Sequence, residues 1–398
     1  MAAVGIVAEY NPFHNGHLYH LRETKRRFPD KAVVCVMSGN FVQRGEPALL
    51  PKSIRAAMAA EAGADLVLEL PVAVANAPAE IFAARAVSLL AATGVVSALS
   101  FGSECGNIGK LKRAADETEF DRTSFLQNMD MGRSYAKARA ESFPLEIRKI
   151  ISSPNNLLAI EYIRSAKACL PDAELFTVSR SGAAHDAAVG SAEILSATRI
   201  RELVRAGESV AAFLPGSSVK MLDAALAEGR CPVAIDVLSL MILAELRRIS
   251  PEEGANLPEV SEGLEHRLIA CAAVSENHEA LLARLKTRRY TEARLRRILI
   301  SAYLGLTKAD QAMEPQYLRV LAATGRGADL LKRMRKQARL PVVTKPAAVK
   351  LLTGDAVRQY TVEARADALY ALAYPRETLR SENGFFCRSP YIVAADQQ

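Results

Sequence analysis

Val4-Gly-Ile-Val-Ala-Glu-Tyr-Asn-Pro-Phe-His-Asn-Gly-His-Leu-Tyr-His20 is the stretch whose reading decides the fold. Val4 to Ala8 is a short apolar run, right in length for a buried strand and too short to span a membrane. Asn11-Pro12 breaks that strand and makes a turn. From Gly16 the pattern is helical, with Leu18 and Leu21 on one side and Arg22 and Lys25 on another. Strand, loop and helix therefore meet at His14-Asn15-Gly16-His17. In open α/β sheets such a joint holds ligands, because the helix N-terminus offers free N–H groups and a positive dipole end to phosphate. Gly16 allows close approach of a ligand to the backbone. His14 and His17, one helical turn apart, reach one pocket and can donate hydrogen bonds to phosphoryl oxygens as charge develops there.

A histidine near a helix start is often only a cap or a surface residue. Here three of the six histidines, His14, His17 and His20, fall within seven residues around a glycine. A nucleotide site accounts for that cluster better than a metal site does. The chain has no Cys-x-x-Cys, and no acidic residue stands at ligand spacing beside these histidines, so no metal ligands are assigned.

Outward from this stretch, strands and helices alternate. Ala32–Met37 reads as a second buried strand, Asp65–Leu70 as a third, Val95–Phe101 as a fourth and Leu175–Val178 as a fifth. Ser53–Ala62, ended by Gly63, and Ala77–Ala92 read as helices between them. The alternation implies parallel βαβ units with right-handed crossovers. Arg44, Lys52 and Arg55 follow the second strand, where cations hold phosphates or a carboxylate if they are not simply surface charges. Gly102 stands at a strand's carboxyl end, where bare backbone can take a base or ribose, or merely turn. Residues from about 106 to 150 read as a charged helical insertion. Its Lys112, Arg113, Arg133, Lys137 and Arg139 face RNA or form a solvated face. Ser152-Ser-Pro-Asn-Asn156 caps a helix to about Cys169, and either Asn155 or Asn156 can read an adenine edge. Arg180 lies just past the fifth strand.

From about residue 206 the pattern is almost wholly helical, which sets an expected boundary between units 1–205 and 206–398. Two basic runs stand out there. Arg288, Arg289, Arg296 and Arg297 surround Tyr290, and Lys332, Arg333, Arg335, Lys336 and Arg339 share one helix. Either run suits a nucleic-acid backbone or a solubilising face. Across 398 residues the net charge is +7 and the pI is near 9.1, a balance that favours an anionic partner. Half of the residues are apolar, yet no run is long enough for a spanning helix, and no leader pattern opens the chain; a cytoplasmic protein is expected. The six cysteines are scattered and read as buried thiols.

His14-Asn15-Gly16-His17 is similar to the His-x-Gly-His signature of the nucleotidyltransferase superfamily. Ile194-Leu-Ser-Ala-Thr-Arg-Ile-Arg201 is similar to the motif that closes that superfamily's site, with Ala197 where a second serine is usual. Ala8–Leu18, Met37–Pro47, Gly63–Pro71 and Phe101–Glu104 together resemble the bacterial tRNA(Met) cytidine acetate ligase family. The resemblance implies a Rossmann-like nucleotidyltransferase sheet followed by a mostly α-helical, tRNA-binding domain. It implies ATP, accompanied by Mg²⁺, as substrate. Acetate attacks the α-phosphate to give acetyl-adenylate, and the acetyl group passes to the wobble cytidine of elongator tRNA-Met. His14 and His17 then carry the chemistry by charge and positioning. ATP contacts fall on Val7, Ala8, Glu9, Tyr10, Asn11, Pro12, Phe13, His14, Asn15, Gly16, His17, Leu18, Tyr19, His20, Gly102, Asn155 or Asn156, Arg180, Ser196 and Thr198. Arg44, Lys52 and Arg201 are the phosphate candidates. A transferase forming a dinucleotide-type cofactor shares these motifs, but gives the basic helical half no purpose. A non-catalytic RNA-binding protein leaves the paired histidines without a role.

Overall fold

The computed structural model describes residues 2–116, 122–131, 141–180, 194–381 and 389–394. Its strands are β1 (Ala3–Ala8), β2 (Ala32–Ser38), β3 (Phe41–Val42), β4 (Glu46–Pro47), β5 (Leu66–Leu70), β6 (Val96–Ser103), β7 (Glu174–Ser179), β8 (Leu318–Ala323), β9 (Val342–Val343) and β10 (Tyr391–Ile392). Eight of them form one sheet in the order β10-β8-β5-β2-β1-β6-β7, with β9 also paired to β8. β5, β2, β1, β6 and β7 run parallel. β3 and β4 make a small separate hairpin. The order reverses at β1, which lies between β2 and β6, so the switch point is at the carboxyl end of β1.

Every residue of β2 and of β5 is buried, as strands covered on both faces must be. Alternation along each strand divides the core. Val34, Val36, Leu66 and Leu68 pack against the helices Ala79–Ala92 and Pro154–Cys169. Val33, Cys35, Met37 and Val67 pack on the other face with α1 (Asn15–Arg27), α2 (Lys52–Glu61) and the helix Ala197–Arg205. A further core around Leu243, Leu268, Leu281, Leu299 and Tyr370 joins the helices of residues 239–304 to the helix Asp355–Ala371.

The boundary expected at residue 206 does not divide the sheet. β8 pairs antiparallel with β5, and β9 and β10 extend the sheet beyond it. Arg319 interrupts the apolar run of β8 and hides its strand character, but the charge is met across the sheet by Glu69, 3.5 Å away. Lys52 corrects a second expectation. Its side chain is 1% exposed, and its Nζ sits 2.5 Å from Glu69 and 2.6 Å from Asp367 of the helix Asp355–Ala371. It ties that helix to the sheet, as a buried cation must be paired to be tolerated, and reaches no phosphate site. Glu363 completes the cluster, its carboxyl pushed up to about 8 by burial and by Glu69. Arg55 is likewise buried and donates to the carbonyls of Leu50, Glu9, Ser38 and Gly39, holding the loops after β1 and β2 together.

Among the described residues no helix is long and apolar enough to cross a membrane. Cys35 and Cys231 are buried free thiols and Cys105, Cys169 and Cys271 are half-buried ones; Cys387 lies outside the described residues.

Candidate active site

A cavity of about 340 Å³ opens at the carboxyl ends of β1 and β6, within the size range of small-molecule sites. Val7, Ala8, Glu9, Tyr10, Asn11, His14, His17, His20, Gly102, Asn155, Arg180, Ser196 and Thr198 line it, together with Arg44 and Arg201. Pro12, Phe13, Asn15, Gly16, Leu18 and Tyr19 do not. Phe13 is fully buried against Tyr10, with ring centroids 4.8 Å apart, and Asn15 Nδ2 donates to Ala212 O at 2.9 Å. Gly16 serves the site from behind: a Cβ there would meet His14 Cε1 at 2.8 Å, so only glycine lets that ring fold over the helix start.

The histidines cap α1. His14 Nδ1 accepts from Gly16 N–H at 3.0 Å, and His17 Nδ1 accepts from His14 N–H at 3.3 Å, a capping box built from imidazoles. With Nδ1 accepting, the neutral ring carries its proton on Nε2, a donor. Burial, with the Arg180 and Arg201 guanidiniums nearby, pulls His14 down to about 3. Burial and His14 hold His17 well below the ordinary imidazole range. Both rings are therefore neutral, and the His17 ring also donates to the Pro12 carbonyl. His20, held at about 4 mainly by burial, joins Ser100 Oγ through Nε2 at 2.9 Å.

Cations gather around this end. Arg201 donates to Asn11 O at 3.0 Å and to Glu46 Oε1 at 2.7 Å. Arg44 reaches Thr198 Oγ1 at 3.2 Å. Ser196 caps the helix Ala197–Arg205 by accepting from Arg199 N–H, so a second helix N-terminus faces the cavity. On the far side, Arg180 Nη1 donates to Asn155 Oδ1 at 3.2 Å and lies over Gly102, where a Cβ would stand 3.3 Å from Arg180 Cγ. Of the two asparagines, Asn155 faces the cavity. Asn156 is buried, and its Oδ1 accepts from Cys105 N–H at 3.1 Å. Glu104 fixes both from below, accepting from Asn155 N–H and, at 2.7 Å, from Asn156 N–H.

The chain belongs to the tRNA(Met) cytidine acetate ligase family. The HIGH Nucleotidyl Transferase family model matches residues 1–384. A tRNA(Met) cytidine acetate ligase of Caldanaerobacter subterraneus is 38% identical over 387 residues, covering 94% of this chain and 96% of the relative. One from Syntrophotalea carbinolica is 41% identical over 360 residues, covering 86% and 85%. Thermotoga maritima TmcAL bound with alpha-thio ATP superposes with a TM-score of 0.90 at 32% identity, over 99% of this chain and 100% of that one.

Sequence reading missed the apolar wall. Ala79, Phe82, Phe101, Leu157, Leu158 and Tyr162 line the cavity, and Gln43 joins them from the β3–β4 hairpin. Nothing marks them in the sequence, because Phe82 and Tyr162 have the spacing and burial of ordinary core residues. The two basic runs part company. Arg297 is buried, pairs with Glu259 at 2.6 Å and donates to Gln43 O at 3.5 Å, so it leaves the list of nucleic-acid contacts. It brings its helix, Glu292–Leu304, against the hairpin that lines the cavity. Arg288 and Arg289 are exposed just before that helix, and Arg296 is half-buried on it beside Glu292. The run Lys332, Arg333, Arg335 and Lys336 lies on the helix Gly325–Gln337. That helix is anchored at the opposite end of the sheet: Thr324 N–H donates to Asp65 O before β5, and Arg339 N–H donates to Ala92 O before β6. Arg133, Lys137 and Arg139 lie outside the described residues.

Proposed function

We propose that this protein activates acetate with ATP and transfers the acetyl group to the N4 amine of the wobble cytidine of elongator tRNA-Met. The observation that carries the reading is the pair of histidines capping the N-terminus of α1, set in a cavity that Arg44, Arg180 and Arg201 line together with an apolar wall. In the first step an acetate oxygen bonds to the α-phosphorus of ATP, the bond to the β-phosphate bridging oxygen breaks, and pyrophosphate leaves. His14 donates to the phosphoryl oxygens as charge grows, while Arg44, Arg201 and the N-terminus of the helix Ala197–Arg205 receive pyrophosphate. Asn155, Arg180 and Gly102 hold the adenosine end. Mg²⁺ accompanying ATP would neutralise part of the triphosphate charge. Glu9 is the one carboxylate among the described lining residues, a sparse donor set that fits an ion carried by the nucleotide better than one resident in the protein.

In the second step the amine attacks the acetyl carbonyl and AMP leaves. Arg296, on the helix that touches the cavity's hairpin, and Arg288 and Arg289, just before that helix, meet the RNA backbone. Acetate-dependent exchange of label between pyrophosphate and ATP tests the first step. Exchange that requires acetate supports the reading, and exchange indifferent to acetate contradicts it.

A further inference from the structure

The second step releases a proton from the amine, and some group must take it. We propose that Glu9 accepts that proton, acting as general base in acetyl transfer. The inference rests on the acetate-ligase reading above and assigns a residue to its second half-reaction.

Elimination within the cavity points first to this side chain. His14 spends Nδ1 on Gly16 N–H and presents Nε2–H, and the His17 ring accepts from His14 N–H and donates to the Pro12 carbonyl, so neither has room for another proton. In His20 the proton is fixed on Nε2 as well. Thr24 Oγ1 donates to His20 O, Ser100 Oγ can then donate only to Thr24, and His20 Nε2 must donate to Ser100. Its remaining nitrogen, with the ring held at about 4, is a weak acceptor. Arg44, Arg180 and Arg201 are already protonated. Among the described residues lining the cavity, Glu9 is the only carboxylate.

Its position fits the task. Glu9 follows the last residue of β1, and the next residue, Tyr10, has φ +48°, a conformation that non-glycine residues rarely adopt. That turn sends the Tyr10 ring into the core against Phe13 and His17 and leaves the Glu9 carboxyl in the cavity. Arg55 pins the Glu9 carbonyl from behind. Oε1 accepts from Gln43 N–H at 2.8 Å, and Oε2 takes no hydrogen bond among the described residues. The charges of Arg44, Glu46 and Arg201 act on the carboxyl, and Glu9 in turn acts on Tyr162 of the apolar wall. Glu9 therefore shares one cavity with the phosphate-binding cations and with the apolar wall against which a pyrimidine would rest. Burial raises its proton affinity above that of an ordinary glutamate, despite the opposing Gln43 N–H and Arg44, which makes it the stronger base.

The step balances without a further reactant. The N4–carbon bond forms, the carbon–oxygen bond to the phosphate of AMP breaks, and AMP departs with that electron pair. The amine proton passes to Glu9 Oε2 and then to water.

Glu9→Gln tests the assignment, since the amide oxygen still accepts from Gln43 N–H while its nitrogen cannot take a proton. Two rates are measured on full-length protein: acetate-dependent ATP–pyrophosphate exchange, and acetyl transfer to tRNA from synthetic acetyl-adenylate across a pH series. The expected result is transfer that falls roughly 10²–10⁴-fold further than exchange does, with loss of the wild-type rise of transfer with pH. Transfer at the wild-type rate, or exchange and transfer falling together, would overturn the role. Wild-type protein with no acetate-dependent exchange would overturn the functional reading instead, and this inference with it.

Discussion

The imidazole rings of His14 and His17 stack with centroids 3.8 Å apart, each Nδ1 already taken by a backbone N–H. One contact does two jobs: it closes the first turn of α1 and it fixes the proton on the nitrogen available to substrate. The two jobs separate by mutation. Asn is a good N-cap, so His14→Asn keeps a side-chain oxygen for Gly16 N–H and removes the Nε2–H donor. Acetate-dependent exchange should fall roughly 10²–10³-fold, equivalent to about 3–4 kcal/mol of lost charge stabilisation, with little change in melting temperature. His14→Ala should lose the same activity and in addition about 1 kcal/mol of stability from the missing cap. Full exchange activity in His14→Asn would show that the donor is dispensable.

The depressed histidines make the fold acid-sensitive. Their folded pKa values, about 3 for His14 and about 4 for His20, lie below the unfolded value near 6.5. Between those limits the unfolded chain binds protons that the folded chain refuses, so stability rises with pH across the window. It is fully present above the unfolded pKa and is lost as pH falls toward the folded values. Urea midpoints at pH 7 and pH 5 measure this. The wild-type midpoint should drop on acidification, and His14→Asn should drop less. Equal drops in both would contradict the assignment.

Lys52 belongs to stability rather than substrate binding. Replacing it with Met leaves Asp367 buried without its paired cation and Glu69 with Arg319 alone, a loss of roughly 3–5 kcal/mol. Thermal melts should show that loss, while the KM for ATP of the protein that remains folded should be unchanged. A variant of wild-type stability with a raised KM would return Lys52 to the phosphate site.

Lys52 also shows where sequence reading stops. The strands, the helix starts and the paired histidines are legible, because each depends on local pattern: apolar runs, capping residues and the Gly16 contact. The fate of a cation after a strand is not local. Lys52 and Arg55 lie within one helical turn of each other, and both are consumed by partners, Asp367 and the carbonyls of Glu9, Ser38, Gly39 and Leu50, that only the closed fold brings near. Arg44, eight residues before Lys52, stays at the cavity. β8 escapes for the same reason, since Arg319 looks like a break in an apolar run until Glu69 is set beside it. The apolar wall escapes because Phe82 and Tyr162 carry no mark that separates a cavity lining from a core.

The two basic runs make opposite predictions. Arg288→Glu with Arg289→Glu should weaken tRNA binding and flatten its salt dependence, because phosphate contacts near the cavity would be lost. Arg335→Glu with Lys336→Glu, at the opposite end of the sheet from the cavity, should leave both unchanged. Binding isotherms at several salt concentrations distinguish them, and the reverse outcome would move the RNA to the other end of the sheet.

The central claim is that one cavity joins acetate to a cytidine through ATP. The direct measurement is the nucleoside composition of bulk tRNA, by mass spectrometry, after incubation with the protein, ATP, Mg²⁺ and labelled acetate. The account predicts label in N4-acetylcytidine, dependent on ATP and absent with His14→Asn. Unlabelled tRNA, from protein that turns over ATP without any need for acetate, would contradict it.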